Sequence, residues 1–418
     1  MEEQKMRTNK RGFGAGFVSG LICCLFIVLA GFGAQYLYDN VLVQVYQNPL
    51  QADMTEYDSV LNDRSLNKIN AIEAIIENHY YQIDDVTNMQ LEEGLYRGLV
   101  AALNDPYAQY FTEAELSSAN DRIEGIFFGI GALISYDEEM ELAVISGIIG
   151  GGSASESDLR EGDYIVKVDD VDVTFYTSTE VVALVRGQEN TIVSLTVYRE
   201  GAPDYLVFEL VRKRVDRRTV EYGVTEDENI GYIYISEFDN VTIGHFIEAL
   251  NDLKELGIRG LILDLRSNPG GNINSVTAIA RQILPKGLIV YTEDRQGHRE
   301  EYTCDGRREL EIPLTVLVNE HSASASEILA GAIQDHNKGT IIGQKTFGKG
   351  VVQRIINMSD NTAVKLTVST YFTPLGRSLG DVGVIPDVEI ELDREAYYTE
   401  GIDNQLNYAM SLLKELIY

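Results

Sequence analysis

The sequence predicts a mixed α/β fold, on three observations. Between residues 219 and 400, short apolar strands alternate with amphipathic helices, as in a central sheet flanked by helices. Residues 125–215 carry short strands separated by Gly-rich turns, typical of a small β-rich domain. Residues 66–103 have apolar side chains at helical spacing. With 418 residues, of which 44% are hydrophobic, the chain is long enough for two or three domains.

The composition excludes several classes of partner. There are 65 acidic and 34 basic side chains, and the resulting net charge of −31 is spread along the chain. Nucleic acid is not expected as a partner, because phosphate binding requires clustered Lys and Arg. The three cysteines and five histidines form no CxxC or HExxH motif, so we expect no metal or cofactor.

The N-terminal region predicts a membrane anchor. Residues 12–38 contain no charged side chain and are long enough to cross a bilayer. The basic residues within 1–11 predict a cytoplasmic N-terminus, so the rest of the chain would be extracytoplasmic. A cleaved signal peptide is the alternative, with the small residues of Ala30–Ala34 as its cleavage site. Residues 39–63 are mixed and polar, and predict a stalk.

Two helices are predicted next, in residues 64–118. Their apolar positions are Ile69, Ile72, Ile75 and Ile76, then Leu91, Leu95, Leu99 and Leu103. We expect a break near Tyr81–Asp85. The second helix should end at Asn104-Asp105-Pro106-Tyr107, because proline disfavours helical backbone at the preceding residue.

The β-rich region and the α/β region follow in order. In the first, the predicted strands are Leu142–Ile145, Tyr164–Val168, Thr191–Val197 and Tyr205–Val211, with a helix at Ser178–Val185. In the second, the predicted strands are Tyr232–Ile235, Gly260–Leu265, Leu314–Val318 and Thr340–Ile342, and the helices are Ile243–Leu256, Ile273–Leu284, Ala325–Asp335 and Gln405–Ile417. Phe128-Gly129-Ile130-Gly131-Ala132 is an apolar loop that could present backbone N–H groups to a carboxylate.

The stretch GQKTFGKGVVQ, residues 343–353, allows three interpretations of Lys349, the simplest of which is a solvated lysine in a Gly-rich turn. It nearly matches a phosphate-binding loop, but Gly350 replaces the hydroxyl that would hold Mg²⁺. Alternatively, Lys349 is a general base, which must be neutral to act. Only roughly 0.04% of an ordinary lysine is neutral at pH 7, and lowering its pKa by about 3 units costs about 4 kcal/mol of burial. The apolar neighbours Phe347, Val351 and Val352 favour such burial.

Ser324 follows the predicted strand Leu314–Val318 and precedes a helix, which suits a nucleophile. At such a junction the N–H of Ala325 can stabilise an oxyanion. The alternative is a capping box between Ser324 and Glu327. His321, three residues earlier, could instead serve as the base of a triad. A second turn after a strand, Leu263–Gly271, offers the N–H of Gly270 as another oxyanion donor.

Together these motifs resemble the carboxyl-terminal processing proteases, serine peptidases of family S41 with a Ser/Lys dyad and an embedded PDZ domain. The motifs that carry the resemblance are Asp105-Pro106-Tyr107, Phe128–Ala132, Gly150–Asp170, Val185-Arg186-Gly187, Leu263–Gly271, Ser322–Glu327, Thr346–Gln353, Leu366–Gly376 and Gly383–Asp387. The implied organisation is a cytoplasmic N-terminus (1–11), transmembrane anchor (12–38), stalk (39–63), helical N-terminal segment (64–118), PDZ domain (119–215), peptidase core (216–400) and C-terminal helix (401–418).

The resemblance also implies roles for individual residues. Ser324 would be the nucleophile, Lys349 its base and Gln353 the group that orients the lysine, with Gly270 and Ala325 as oxyanion donors. Phe128–Ala132 would bind the substrate C-terminus. We therefore expect a homodimeric, membrane-anchored endopeptidase that cleaves extracytoplasmic proteins near loose apolar C-terminal tails. A catalytically silent PDZ-bearing scaffold is the alternative.

Overall fold

The computed structural model describes residues 59–227, 229–380 and 382–418, and residues 59–87 form a unit of their own. Helix α1 (Asp63–His79) begins after Asn62, whose side chain accepts hydrogen bonds from the N–H groups of Arg64 and Ser65. A single 3₁₀ turn, Ile83–Asp85, follows at the predicted break. Within the described ranges no helix is long and apolar enough to cross a bilayer; the proposed anchor, residues 12–38, lies outside them, as does most of the stalk.

The second unit, residues 88–418, opens with two helices and a strand. These are α2 (Asn88–Ala101), β1 (Gln109–Phe111) and α3 (Glu113–Glu124). Helix α3 begins with a capping box between Thr112 and Glu115, and ends at Gly125, which adopts the left-handed backbone (φ 71°) that glycine tolerates.

The β-rich region forms a sheet with one helix. Its elements are β2 (Ile126–Gly129), β3 (Ala132–Asp137), β4 (Leu142–Ile148), β5 (Tyr164–Val168), β6 (Val171–Asp172), α4 (Ser178–Val185), β7 (Ile192–Tyr198), β8 (Leu206–Val211) and β9 (Lys213–Asp216). The sheet order is β3-β4-β5-β7-β8, and Val181 of α4 packs into its buried core. Strands β2 and β9 pair as a ribbon that brings the chain into and out of this domain. Strand β3 is an edge of the sheet.

The α/β region is built on a six-stranded sheet of order β10-β11-β12-β15-β16-β19. Its elements are β10 (Val220–Val224), β11 (Ile230–Ile235), α5 (Thr242–Glu255), β12 (Gly260–Asp264), α6 (Ile273–Ala280), β13 (Gly287–Asp294), β14 (Arg299–Cys304), β15 (Leu314–Val318), α7 (Ala325–Asp335), β16 (Thr340–Gly343), β17 (Val351–Asn357), β18 (Ala363–Phe372), β19 (Val388–Glu389), α8 (Arg394–Glu400) and α9 (Asn404–Ile417). Strands β11, β12, β15, β16 and β19 are parallel, so the turns after β12 and β15 meet at one edge of the sheet.

A second, antiparallel sheet has the order β1-β18-β13-β14, with β17 also paired to β18. Strand β1 pairs with β18 through Tyr110 and Val364, about 250 residues apart in sequence. The chain that precedes the β-rich region is therefore part of the α/β region. Lys349 lies just before β17. The position of this sheet places Lys349 near the turns that follow β12 and β15.

Some predicted elements match the structure in both of their bounds. Tyr164–Val168, Ser178–Val185, Leu314–Val318 and Ala325–Asp335 have the predicted bounds. Helix α6 ends at Ala280 rather than at Leu284, because the next residues tighten into a turn in which Gln282 N–H donates to Ile279 O. Strands β13, β14 and β17 were not predicted, whereas β18 overlaps Leu366–Gly376, where the resemblance implied a C-terminal strand.

Candidate active site

Ser324 stands at the junction of β15 and α7, in a backbone conformation that is unusual for a residue other than glycine. Its φ of 54° and ψ of −112° turn the chain sharply before Ala325. The turn is held by hydrogen bonds to the segment that follows β12. Ser322 Oγ donates to Leu265 O at 2.8 Å, and Ala323 N–H donates to Asn268 O at 3.0 Å.

Glu327 joins two turns of the chain: the turn at Ser324, called the serine turn, and the turn at Thr346–Lys349, called the lysine turn. Its carboxylate is fully buried and accepts the N–H of Ser324 at 2.7 Å, the hydroxyl of Thr346 at 2.6 Å, and the N–H groups of Gly348 and Lys349 at 2.7 and 2.9 Å. The bond to Ser324 is one half of the predicted capping box. The other three bonds join segments 19 to 22 residues apart, which helix capping does not require.

These contacts weaken the nucleotide interpretation of residues 343–353. A phosphate-binding loop presents free backbone N–H groups to the phosphates. Here the N–H groups of Gly348 and Lys349 are already bound to the Glu327 carboxylate, which would also repel an anion.

Lys349 is partly buried, and its ammonium lies 4.4 Å from the centroid of the Tyr107 ring. Burial lowers the pKa of Lys349, and the nearby positive charge of Lys365 lowers it further, against the carboxylates of Glu327 and Asp105. A lowered pKa is what a neutral lysine base requires.

Tyr371 contacts the same two turns from β18. Its hydroxyl lies 3.3 Å from Ser324 O and donates to Lys349 O. Burial, followed by the charge of Glu327, raises the pKa of Tyr371 well above its usual range, so the hydroxyl stays protonated and can donate.

The two expected oxyanion donors differ in this conformation. The N–H of Gly270 donates to Asn268 Oδ1 at 2.8 Å and is therefore occupied. The N–H of Ala325, in contrast, donates to no group in the described ranges. The two backbones touch, since a Cβ on Gly270 would lie 2.9 Å from Ala325 N.

Ser324, Lys349 and Gln353 all line one cleft of about 700 Å³. Pro269 and Phe111 also line it. Within the described part of the chain, Ser324 Oγ and Lys349 Nζ make no hydrogen bond to each other, and Gln353 Nε2 is buried without a partner. His321 lies apart, with its side chain 66% exposed beside Glu320.

Comparison with known proteins agrees with this architecture. Family models match as "Peptidase family S41" over residues 229–390, "PDZ domain" over 144–199 and "Activating protease CtpB N-terminal domain" over 28–115. A carboxyl-terminal-processing protease of Synechocystis is 36% identical over 320 residues, covering 75% of each chain. The chain belongs to this family. It is an S41 serine peptidase of the carboxyl-terminal processing type.

Two further relatives are similar to the protease. The carboxy-terminal processing protease CtpA of Bacillus subtilis is 32% identical over 367 residues, covering 85% of this chain and 78% of the relative. A solved photosystem II D1 C-terminal processing protease is 29% identical with a TM-score of 0.45, covering 79% of this chain and 94% of the other.

The loop predicted at Phe128–Ala132 is shorter in the protease. Phe128 and Gly129 belong to β2 and pair with Arg214 and Lys213 of β9, and Ala132 already starts β3. Only Ile130 and Gly131 remain between the strands. Their carbonyls accept from Ala154 N–H and Ile149 N–H, both at 2.8 Å. The prediction of a five-residue loop was wrong, because β2 continues to Gly129 in the ribbon with β9.

Four residues of this site were missed by sequence reasoning: Glu327 as a link, Asn268, Tyr371 and Tyr107. Glu327 was visible only as a helix cap. Asn268 and Tyr107 lie inside the motifs Leu263–Gly271 and Asp105-Pro106-Tyr107 but were given no role, and Tyr371 acts through contacts to segments 22 and 47 residues away.

A neighbouring cleft of about 520 Å³ contains Asp239, next to Gly271 and Gln353. Asp239 Oδ2 is buried and has no hydrogen-bond partner in the described ranges. Burial and the charge of Glu237 raise the pKa of Asp239 to about 6, while Arg217 and Arg122 act in the opposite direction.

We expect Asp239→Asn to stabilise the protease more at about pH 8 than at about pH 5. A carboxyl whose pKa is raised on folding gives its stabilising contribution at low pH and loses it as pH rises through about 6. The amide does not ionise and is spared this loss. The check is the melting temperature at both pH values, with the exposed Asp170→Asn as control; equal gains at the two pH values would contradict the prediction.

Proposed function

We propose that the protease is a membrane-anchored endopeptidase that cleaves extracytoplasmic proteins near apolar C-terminal tails through a Ser324/Lys349 dyad. The observation that carries the proposal is the carboxylate of Glu327, which holds the serine turn and the lysine turn together at one cleft. A serine whose proton can pass to a lysine of lowered pKa is a nucleophile for acyl transfer.

In the proposed reaction, neutral Lys349 removes the proton of Ser324 Oγ, which attacks the peptide carbonyl. The bond from Oγ to carbon forms, and the carbonyl electron pair moves to oxygen, where Ala325 N–H and Gly270 N–H donate to it. The tetrahedral intermediate expels the amine, which takes the proton from Lys349. Water then releases the acyl group by the same route.

In the proposed mechanism, the observed arrangement of Lys349 and Gly270 is the resting state of the enzyme. Lys349 Nζ must leave the face of Tyr107 to reach Ser324 Oγ, and Gly270 N–H must leave Asn268 Oδ1 to reach an oxyanion. The φ of 107° at Gly270 lies in a region that glycine tolerates, so no Cβ opposes a rotation of this peptide, which must break the bond to Asn268 Oδ1. Gln353 Nε2, which is buried and unpaired, would find a partner in the rearranged site.

We propose that the PDZ domain holds the substrate tail. Strand β3 is an edge of its sheet, and α4 lies beside it. An extended peptide could pair with this edge, with its terminal carboxylate near Ile130 and Gly131. This mode recognises a free C-terminus with an apolar last residue.

The membrane anchor and the homodimer also remain proposals. The anchor rests on the uncharged stretch 12–38. The dimer rests on α1, none of whose residues is buried and whose Leu66, Ile72 and Ile75 are exposed, so that a second copy could cover them.

The test is cleavage of a peptide that ends in an apolar tail with a free carboxylate. We expect the full chain to cut it and Ser324→Ala to fail while still binding it. Ser153→Ala is a matched control, because Ser153-Ala154-Ser155-Glu156 repeats the sequence of the proposed nucleophile in the PDZ region. Equal cutting by Ser324→Ala would contradict the dyad.

The same experiment distinguishes the proposed endopeptidase from a catalytically silent scaffold. A scaffold binds the peptide and leaves it intact in the unmodified chain. Amidation of the peptide C-terminus should weaken binding if the PDZ domain reads the carboxylate.

A further inference from the structure

A second cleft, of about 910 Å³, lies at the C-terminal end of α6 and shares no lining residue with the cleft that contains Ser324 and Lys349. Ile243 and Ile247 of α5 and Ala278 of α6 form an apolar wall. The segments 281–287 and 303–308 complete it.

The charge of this cleft is opposite to that of the chain. Four cations line it, Arg281, Lys286, Arg307 and Arg308, against one carboxylate, Asp305. Asp305 pairs with Arg307 at 3.3 Å. The other three cations have no ion pair in the described ranges, although the chain has 65 acidic side chains for 34 basic ones. These three positive charges are therefore available to an anionic ligand.

The two segments that carry the cations are fixed to each other. Arg281 Nε donates to Thr303 O at 2.9 Å. Gly306 packs against the backbone of Lys286, since a Cβ on Gly306 would lie 2.6 Å from Lys286 N. The terminal nitrogens of Arg281 make no hydrogen bond in the described part of the chain, so they are free to bind a ligand. The backbone positions from which these cations extend are therefore fixed relative to each other.

We propose that this basic cleft binds a phosphate-bearing ligand with an apolar portion. Arginine and lysine are the usual ligands of phosphate, and a doubly charged phosphate balances several cations better than one carboxylate does. The wall of Ile243, Ile247 and Ala278 would cover an attached hydrocarbon chain. The phosphate could belong to a lipid headgroup or to a free phosphate compound.

The test is titration of the purified full chain, in an uncharged detergent, with inorganic phosphate and with hexyl phosphate. We expect both to bind, more weakly as salt is raised. Lys286→Gln with Arg308→Gln should weaken binding by roughly tenfold for each cation removed. Lys254→Gln with Arg295→Gln makes the same change of charge outside the cleft and should leave binding unchanged. Cleavage of the tail peptide should be unaffected in both double variants.

The two probes also separate the sources of the phosphate. Hexyl phosphate that binds at least about tenfold tighter than inorganic phosphate assigns the cleft to a lipid headgroup, because the hydrocarbon chain then contributes. Equal affinities assign it to a free phosphate compound. The proposal is overturned if neither probe binds, or if the cleft variant and the control variant lose affinity equally.

Discussion

Lys349→Ala is expected to lower the rate of peptide cleavage by at least about 10²-fold, while the protease stays folded. The lysine is the proposed base, because the Glu327 carboxylate accepts the backbone N–H of Ser324 and is occupied by three further donors. The substitution removes a partly buried ammonium, whose burial is unfavourable, and it keeps the backbone N–H of residue 349 that donates to Glu327. The fold should therefore not be destabilised. The measurements are kcat on a tail peptide and the melting temperature.

Lys345→Ala is the matched control for this prediction. Lys345 is exposed and lies four residues earlier in the same loop. Its loss should change neither the rate nor the melting temperature. Comparable losses in the two variants would indicate that the loop needs positive charge rather than a base.

The dependence of the rate on pH tests the same base independently. Activity should rise with pH as Lys349 loses its proton, with a midpoint below the usual lysine pKa of about 10.4. Lys365 lowers the pKa of Lys349, so Lys365→Gln should move that midpoint to higher pH. A midpoint that does not move, or moves downward, would argue against Lys349 as the titrating group.

Glu327→Ala is expected to destabilise the protease by about 3–5 kcal/mol and to abolish cleavage. It leaves four donors unsatisfied, from Ser324, Thr346, Gly348 and Lys349, three of them backbone N–H groups. The serine and lysine turns would then lose the group that joins them. Unfolding by urea measures the stability, and kcat is measured under conditions where the variant remains folded.

Glu327→Gln keeps the volume and separates packing from charge. The amide supplies fewer acceptors than the carboxylate, so we expect an intermediate loss of stability and still a severe loss of activity. Glu415→Gln, at an exposed position of α9, is the control and should be neutral. Wild-type cleavage by Glu327→Gln would show that the serine and lysine turns do not depend on this carboxylate.

The sequence was sufficient for features that depend on neighbouring residues. The short apolar run Leu314–Val318 and the helical pattern of Ala325–Asp335 placed Ser324 at a strand–helix junction, and the junction is there. The Gly-Lys-Gly spacing singled out Lys349, which lies in the same cleft as Ser324. Both signals lie within a few residues of the positions they mark.

The local signals also had clear limits. They showed Gly270 as a flexible turn residue, yet its N–H is bound to the side chain of Asn268. They suggested an open loop at Phe128, which instead continues β2 because β9, some 85 residues later, pairs with it. In both cases the partner of a backbone group decides the outcome.

The sequence by itself determined the strand and the helix on either side of Ser324, the uncharged stretch 12–38 and the identities of the proposed nucleophile and base, since each is written in a short pattern of residue types. Only the tertiary structure decided that Glu327 joins the two turns, that Tyr107 lies over Lys349 and that three unpaired cations share a cleft. Those features arise where segments tens to hundreds of residues apart meet, and a buried donor or charge takes whichever partner the packed chain brings to it.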